Sequence, residues 1–158
     1  MDIAQFGNIV ESSKAASGGR AVQRTIDILM GKSKGLDKED NDQIGFVIAA
    51  LFCSALSLDE LHKWCFELIS AKNPAELPSY IFDLADFKGT PAEVFNTIGF
   101  APVWKHTADD RAALFGIAVK RKRERYEWPV HPDLALKRLA QNPAIEHRFR
   151  ETFPFVEY

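Results

Sequence analysis

The sequence predicts an all-α single domain of about eight helices built around a central buried helical hairpin. Three observations predict it. The stretch Asp42–Ile69, D-Q-I-G-F-V-I-A-A-L-F-C-S-A-L-S-L-D-E-L-H-K-W-C-F-E-L-I, is apolar almost all round in its first half and amphipathic at helical spacing in its second. Helix-start signatures recur along the chain, including the capping boxes Ser57-Leu58-Asp59-Glu60 and Thr90-Pro91-Ala92-Glu93. No stretch sustains the period-two alternation of a half-buried strand between hairpin turns. At 158 residues the chain is long enough to bury most of its apolar surface as one domain, without staples.

From the amino end, Ile3, Phe6, Ile9 and Val10 recur at helical spacing and predict a short amphipathic helix over 2–13. Residues 14–20, small, polar and ending in paired glycines, read as a flexible linker to a second helix carrying Val22, Ile26, Leu29 and Met30. Gly18-Gly19 lacks the further glycines or the lysine of a phosphate-binding loop, so a linker is the better reading. The acid-rich L-D-K-E-D-N-D that follows places Asp37 to cap the next helix, where carboxylates meet the positive end of the dipole. The same acids fail as an EF-hand loop. Counted from Asp37, the sixth and twelfth positions are Asp42 and Ile48 in place of glycine and glutamate.

The hairpin's first arm is expected to run to Leu56-Ser57, where Ser57 and Glu60 form the capping box and Leu56 and Leu61 a hydrophobic staple. Leu61, Trp64, Cys65, Leu68 and Ile69 then share one face, with Asp59, Glu60, Lys63 and Glu67 outside, until Asn73-Pro74 ends the second arm. A helix beginning at Leu77-Pro78 turns Ile81, Leu84 and Ala85 inward, and another after Thr90 carries Val94, Phe95 and Ile98 before Gly99 closes it. The apolar, aperiodic Phe100–Trp104 is expected to pack over the hairpin. The helix opening at Thr107 carries Leu114, Ile117, Ala118 and Arg121 inward and should continue until Trp128-Pro129 breaks it. Leu134, Leu136 and Leu139 line the helix after Pro132. Ile145, Phe149 and Phe153 line the last one, and the aromatic tail F-P-F-V-E-Y reads as docked.

Composition excludes several classes. The net charge of −2 removes a general nucleic-acid binder, and the 46% hydrophobic and 27% charged content is that of an ordinary globular protein. The longest uncharged apolar run, Ile44 to Leu58, falls short of the roughly 20 residues that span a bilayer. M-D-I-A-Q-F carries an acid where a secretory leader has its basic region, so no leader is expected. Cys53 and Cys65 fall inside the apolar pattern as small hydrophobes, which suits a reducing compartment such as the cytoplasm.

No catalytic, cofactor or metal motif rises above background. His62, His106, His131 and His147 are scattered: His62 sits at a face boundary, and His106 and His131 at helix starts. Asp83 and Asp86 lie three apart on one helix, but the Glu-x-x-His pairs of a di-metal bundle are absent, so they read as a solvated face. Lys120, Arg121, Lys122, Arg123 and Arg125 form the strongest charge cluster. Phosphate contact is one reading of them, and favourable placement of cations at a helix C-terminus is the other. The charge is also unevenly distributed. Residues 36–115 carry thirteen acidic against six basic side chains, whereas both flanks are net positive, so the middle of the chain should present a negative face. Such a face can steer a basic protein partner.

Several segments together resemble small helical immunity proteins of bacterial contact-dependent inhibition (toxin–immunity) systems. They are S-L-D-E-L-H-K-W (Ser57 to Trp64), P-S-Y-I-F-D-L (Pro78 to Leu84), I-G-F-A-P (Ile98 to Pro102) and A-L-F-G-I-A-V-K-R (Ala113 to Arg121). A-L-K-R-L-A-Q-N-P (Ala135 to Pro143) and F-P-F (Phe153 to Phe155) extend the resemblance to about two-thirds of the chain. It implies a cytoplasmic, non-catalytic protein without cofactor or metal. Such a protein binds a cognate toxin domain, in many cases a nuclease with a basic cleft, and blocks its active site. Contact residues vary with the toxin in such families, so the resemblance assigns none. The residues themselves point to Asp37, Glu39, Asp40, Asp42, Asp59 and Glu60, the acids at the helix starts flanking the first arm, whose two ends should lie about 20–25 Å apart. The alternative reading is a nucleic-acid-associated or regulatory module using the basic helix end at 120–125.

Overall fold

A computed structural model describes residues 34–158, and the helices and linker expected before Lys34 lie outside the described residues. Among the described residues the fold is all helical. Its α-helices are α1 (Asp42–Phe52), α2 (Leu58–Ala71), α3 (Tyr80–Ala85), α4 (Val94–Ile98), α5 (Ala108–Lys120), α6 (Pro132–Gln141) and α7 (Pro143–Thr152). Short 3-10 turns at Pro74–Glu76 and Pro91–Glu93 lead into α3 and α4. None of these helices is long and apolar enough to cross a membrane.

α1 lies inside the core. Ile44 through Ile48 are buried in succession, and Ala50 and Leu51 follow, so apolar side chains leave this helix on almost every side. The connector Phe100–Trp104 crosses it at Gly45, where an added Cβ would sit 2.6 Å from the Val103 carbonyl carbon. Only glycine admits that approach, and it brings the Trp104 ring edge-on to Phe46 at 5.2 Å. The expected packing of this connector over α1 is therefore present.

The first arm is shorter than its apolar run implies. It stops at Phe52, four residues before Leu56, because Ser54 takes up a left-handed conformation (φ +61°). The Ser54 and Leu56 N–H groups then donate to the Leu51 and Ala50 carbonyls, which closes the helix end. The capping box of α2 forms as read. Glu60 N–H donates to Ser57 Oγ at 3.2 Å, Ser57 N–H donates to Glu60 Oε1 at 2.9 Å, and Leu56 and Leu61 are buried beside it.

α5 is a second buried pillar, with Ala112 through Ala118 buried without interruption. It packs most closely on α6, at Gly116, where an added Cβ would strike the Ala135 carbonyl and lie 2.8 Å from Leu139 Cβ. That contact fixes which face of α6 is inward. Ala135 and Leu139, four apart, point at α5, while Leu134 and Leu136 are rotated to either side and exposed, so of the three leucines expected along this helix Leu139 alone is buried. α5 also ends early, at Lys120 and not at Trp128. Lys122 adopts φ +58°, its N–H donates to Val119 O, and the Arg123 N–H donates to Ala118 O, which is a Schellman closure without glycine.

The carboxyl-terminal tail is docked, as its aromatics predict. Phe153 and Val156 are buried, and the Tyr158 ring packs edge-on against Phe149, with its hydroxyl donating to Glu146 Oε2 at 2.9 Å.

Candidate functional site

Both ends of α1 reach the surface, and the two ends differ in chemistry. At the amino end, residues 35–41 fold over the first turn. The Gly35 carbonyl accepts from Ile44 N–H at 3.0 Å, satisfying a donor that the helix itself leaves open. Asn41 occupies the cap position without bonding the first turn. Its Oδ1 accepts from Val103 N–H at 2.8 Å and its Nδ2 donates to Lys38 O, so it ties the loop to the connector instead. Tyr80, buried in the core, donates its hydroxyl to Leu36 O at 2.5 Å and holds the loop from beneath. Asp37 was expected to cap α1. It does not, because the loop backbone has taken over that task.

Asp37, Glu39 and Asp40 consequently face solvent together at this rim. Asp40 also accepts from Gly35 N–H at 3.2 Å, which fixes its position within the loop. Asp42 is exposed and paired with Arg148 at 2.9 Å. Val103, more than half exposed, lies beside them through its bond to Asn41. A loop hydrogen-bonded to the core and to the connector thus carries several carboxylates next to an apolar side chain.

At the carboxyl end, the basic run turns inward. Arg121 donates to the Ala55 carbonyl and forms a two-pronged pair with Glu60, at 3.0 and 2.5 Å. Arg123 Nε donates to Ser54 O at 3.0 Å, and Arg125 Nη1 donates to Phe52 O at 2.9 Å and Ser54 Oγ at 2.7 Å. Arg125 therefore caps a last-turn carbonyl of α1, and Arg123 and Arg121 hold the carbonyls of Ser54 and Ala55 in the turn that follows it, beside the negative end of the α1 dipole. Lys120 pairs with Glu146 at 3.0 Å. Of the two expectations for this run, the arginines follow the helix-terminus one, although the terminus they serve belongs chiefly to α1.

Glu60 is drawn into that junction. Burial opposes its ionisation, but the Arg121 guanidinium and the Ser57 backbone N–H together outweigh burial and hold its carboxyl below the usual range. It stands half-buried behind Ser57, while Asp59 is exposed. The six acids singled out in the sequence thus form no single patch. Asp37, Glu39, Asp40 and Asp42 share one rim, Asp59 and Glu60 belong to the other, and the eleven-residue α1 between them spans about 16 Å, less than the sequence suggested.

A cleft of about 390 Å³ opens at this second rim, lined by Phe52, Pro91, Glu124, Tyr126 and Glu127 among others. Tyr126 is fully exposed, and Phe52 and Phe95, each about one-third exposed, stack at 5.5 Å. Sequence reasoning missed this group because Phe52 and Phe95 fall inside apolar helical stripes, where a phenylalanine reads as core. An aromatic within the charged run, Tyr126, was the one local signal.

The remaining titratable groups are dispersed. His62 Nε2 donates to Phe87 O and His106 Nδ1 to Trp104 O, both at 2.6 Å, and His131 Nδ1 accepts from Asp133 N–H at the start of α6. His147 lies 3.3 Å from Glu151 on α7. Burial pushes the Cys53 thiol up to about 11 and the Cys65 thiol up to about 12, so both are protonated small hydrophobes. Asp83 and Asp86 are exposed, and among the described residues no group of three or more histidine, cysteine or acidic side chains is placed to hold a metal ion. No protein-family model, curated protein or solved structure matches this chain.

Proposed function

We propose that this protein is a cytoplasmic, monomeric and non-catalytic immunity protein that binds a cognate bacterial toxin domain and occludes its basic, nuclease-like cleft. One observation carries the reading. Carboxylates at the amino rim of α1 face solvent on a loop fixed from below, whereas the arginines of the strongest basic cluster are engaged inside the fold. Four exposed acids of the rim, Asp37, Glu39, Asp40 and Asp42, stand against two exposed lysines, Lys34 and Lys38, so its charge is net anionic, which favours steering of a basic partner. The sequence resemblance supports the same reading independently.

Asp37, Glu39 and Asp40 are the proposed contacts, with Asp42 shared between the partner and Arg148, and Val103 supplying an apolar contact beside them. Glu60 belongs to the structural junction, and Asp59 stands at the opposite end of α1 from the other acids. The inward arginines weigh against the nucleic-acid reading of 120–125, since a phosphate would have to compete with carbonyl and carboxylate partners already in place.

The test is recovery of a partner from native lysate at low salt, followed by assay of what is recovered. The expected outcome is a basic protein whose enzymatic activity the purified chain suppresses at stoichiometric ratio. Recovery of nucleic acid without such a protein, or of a partner whose activity the chain leaves untouched, would overturn the proposal.

A further inference from the structure

The second rim has chemistry of its own. We infer that the cleft between the end of α1 and residues 124–127 receives an arginine side chain of a partner protein. This goes beyond the toxin reading, because it uses none of the carboxylates at the amino rim and stands or falls separately.

Three features point to arginine. The walls include the rings of Phe52 and Tyr126, the first held in place by its stack on Phe95, and a planar guanidinium packs on aromatic faces better than an ammonium does. The cleft is also flanked by two exposed carboxylates, Glu124 and Glu127, which suit the forked donors of a guanidinium. Arg125, the cation that also lines the cleft, is already engaged: its Nη1 donates to Phe52 O and Ser54 Oγ, its Nε donates to Glu127 O, and its guanidinium lies 5.0 Å from the Phe115 ring centre. Three aromatic rings exposed in one patch on a small domain mark an interaction surface, and the acids at its edge select a cation over an anion.

The experiment is an amide-resolved NMR titration of the full chain with three capped tripeptides, acetyl-Gly-Arg-Gly-amide and its leucine and glutamate counterparts. The arginine peptide is expected to shift signals of residues 51–54, 91 and 124–127. The double variant Glu124→Gln with Glu127→Gln is expected to weaken that binding roughly three- to fivefold, the scale of exposed charge pairs. Tyr126→Ala tests the aromatic wall, and since all three side chains are exposed, the variants keep the fold. Equal shifts from the leucine or glutamate peptide, shifts confined to residues 37–42, or no shift with the arginine peptide would overturn the inference.

Discussion

Glu60 is the residue on which the junction between α1, α2 and α5 turns. It completes the capping box of α2 and takes the two-pronged pair from Arg121, which itself holds the Ala55 carbonyl. Its carboxyl is held below its ordinary value of 4.5. A depressed acid contributes stability that is fully present above the unfolded-state value and lost as pH falls through the folded one. Glu60→Gln should therefore cost about 1–2 kcal/mol at pH 7. In chemical denaturation the gap between wild type and variant should stay level down to about pH 4.5 and close below it. A gap that widened in acid would refute this assignment. Lys122 makes the opposite case. It holds a left-handed conformation at a helix end where glycine is the usual residue, so Lys122→Gly should raise stability by about 0.5–1 kcal/mol in the same assay.

These two positions also explain what could be read in advance. The capping box at Ser57 was legible because its side chains do the bonding and their spacing is written in the sequence. The ends of α1 and α5 were not. Their left-handed residues are Ser54 and Lys122, and a serine or lysine gives no stop signal, whereas Gly99 (φ +88°) ends α4 where it was expected. The bonding of the α1 end and of the turn after it by arginines some seventy residues downstream is a long-range contact, to which local periodicity is blind.

At the scale of the element, burial all round makes α1 intolerant of change. Phe46→Ala should cost about 2–5 kcal/mol by urea denaturation, and a loss under about 0.5 kcal/mol would place the helix at the surface instead. α5 offers a sharper test, because helix propensity and packing there predict opposite signs. Gly116→Ala would ordinarily stabilise a helix by about 0.5–1 kcal/mol. Here the new methyl meets the Ala135 carbonyl and Leu139, so a loss of about 1–3 kcal/mol is expected from the same denaturation measurement. The sequence of α5 shows a stripe with one inner face. Its short residues Ala112, Ala113 and Gly116 hid the burial, since a small side chain marks a close approach only once the neighbouring helix is known.

The whole molecule has a buried helix whose two ends emerge as different surfaces. Acids on a fixed loop mark one end and an aromatic cleft the other, and the basic run that looked most like a binding site in the sequence holds the second end together. The candidate rim was legible as charge asymmetry. Which acids pair with arginine was not, because the partners of Asp42 and Glu60, Arg148 and Arg121, lie 106 and 61 positions away in the chain. The most direct measurement is the association rate of the recovered toxin domain with wild type and with the variant Asp37→Asn, Glu39→Gln, Asp40→Asn, taken across a salt series. The account predicts association roughly tenfold slower for the variant at low salt, with the difference disappearing as salt screens the rim. Equal rates and equal salt dependence for the two proteins would contradict it.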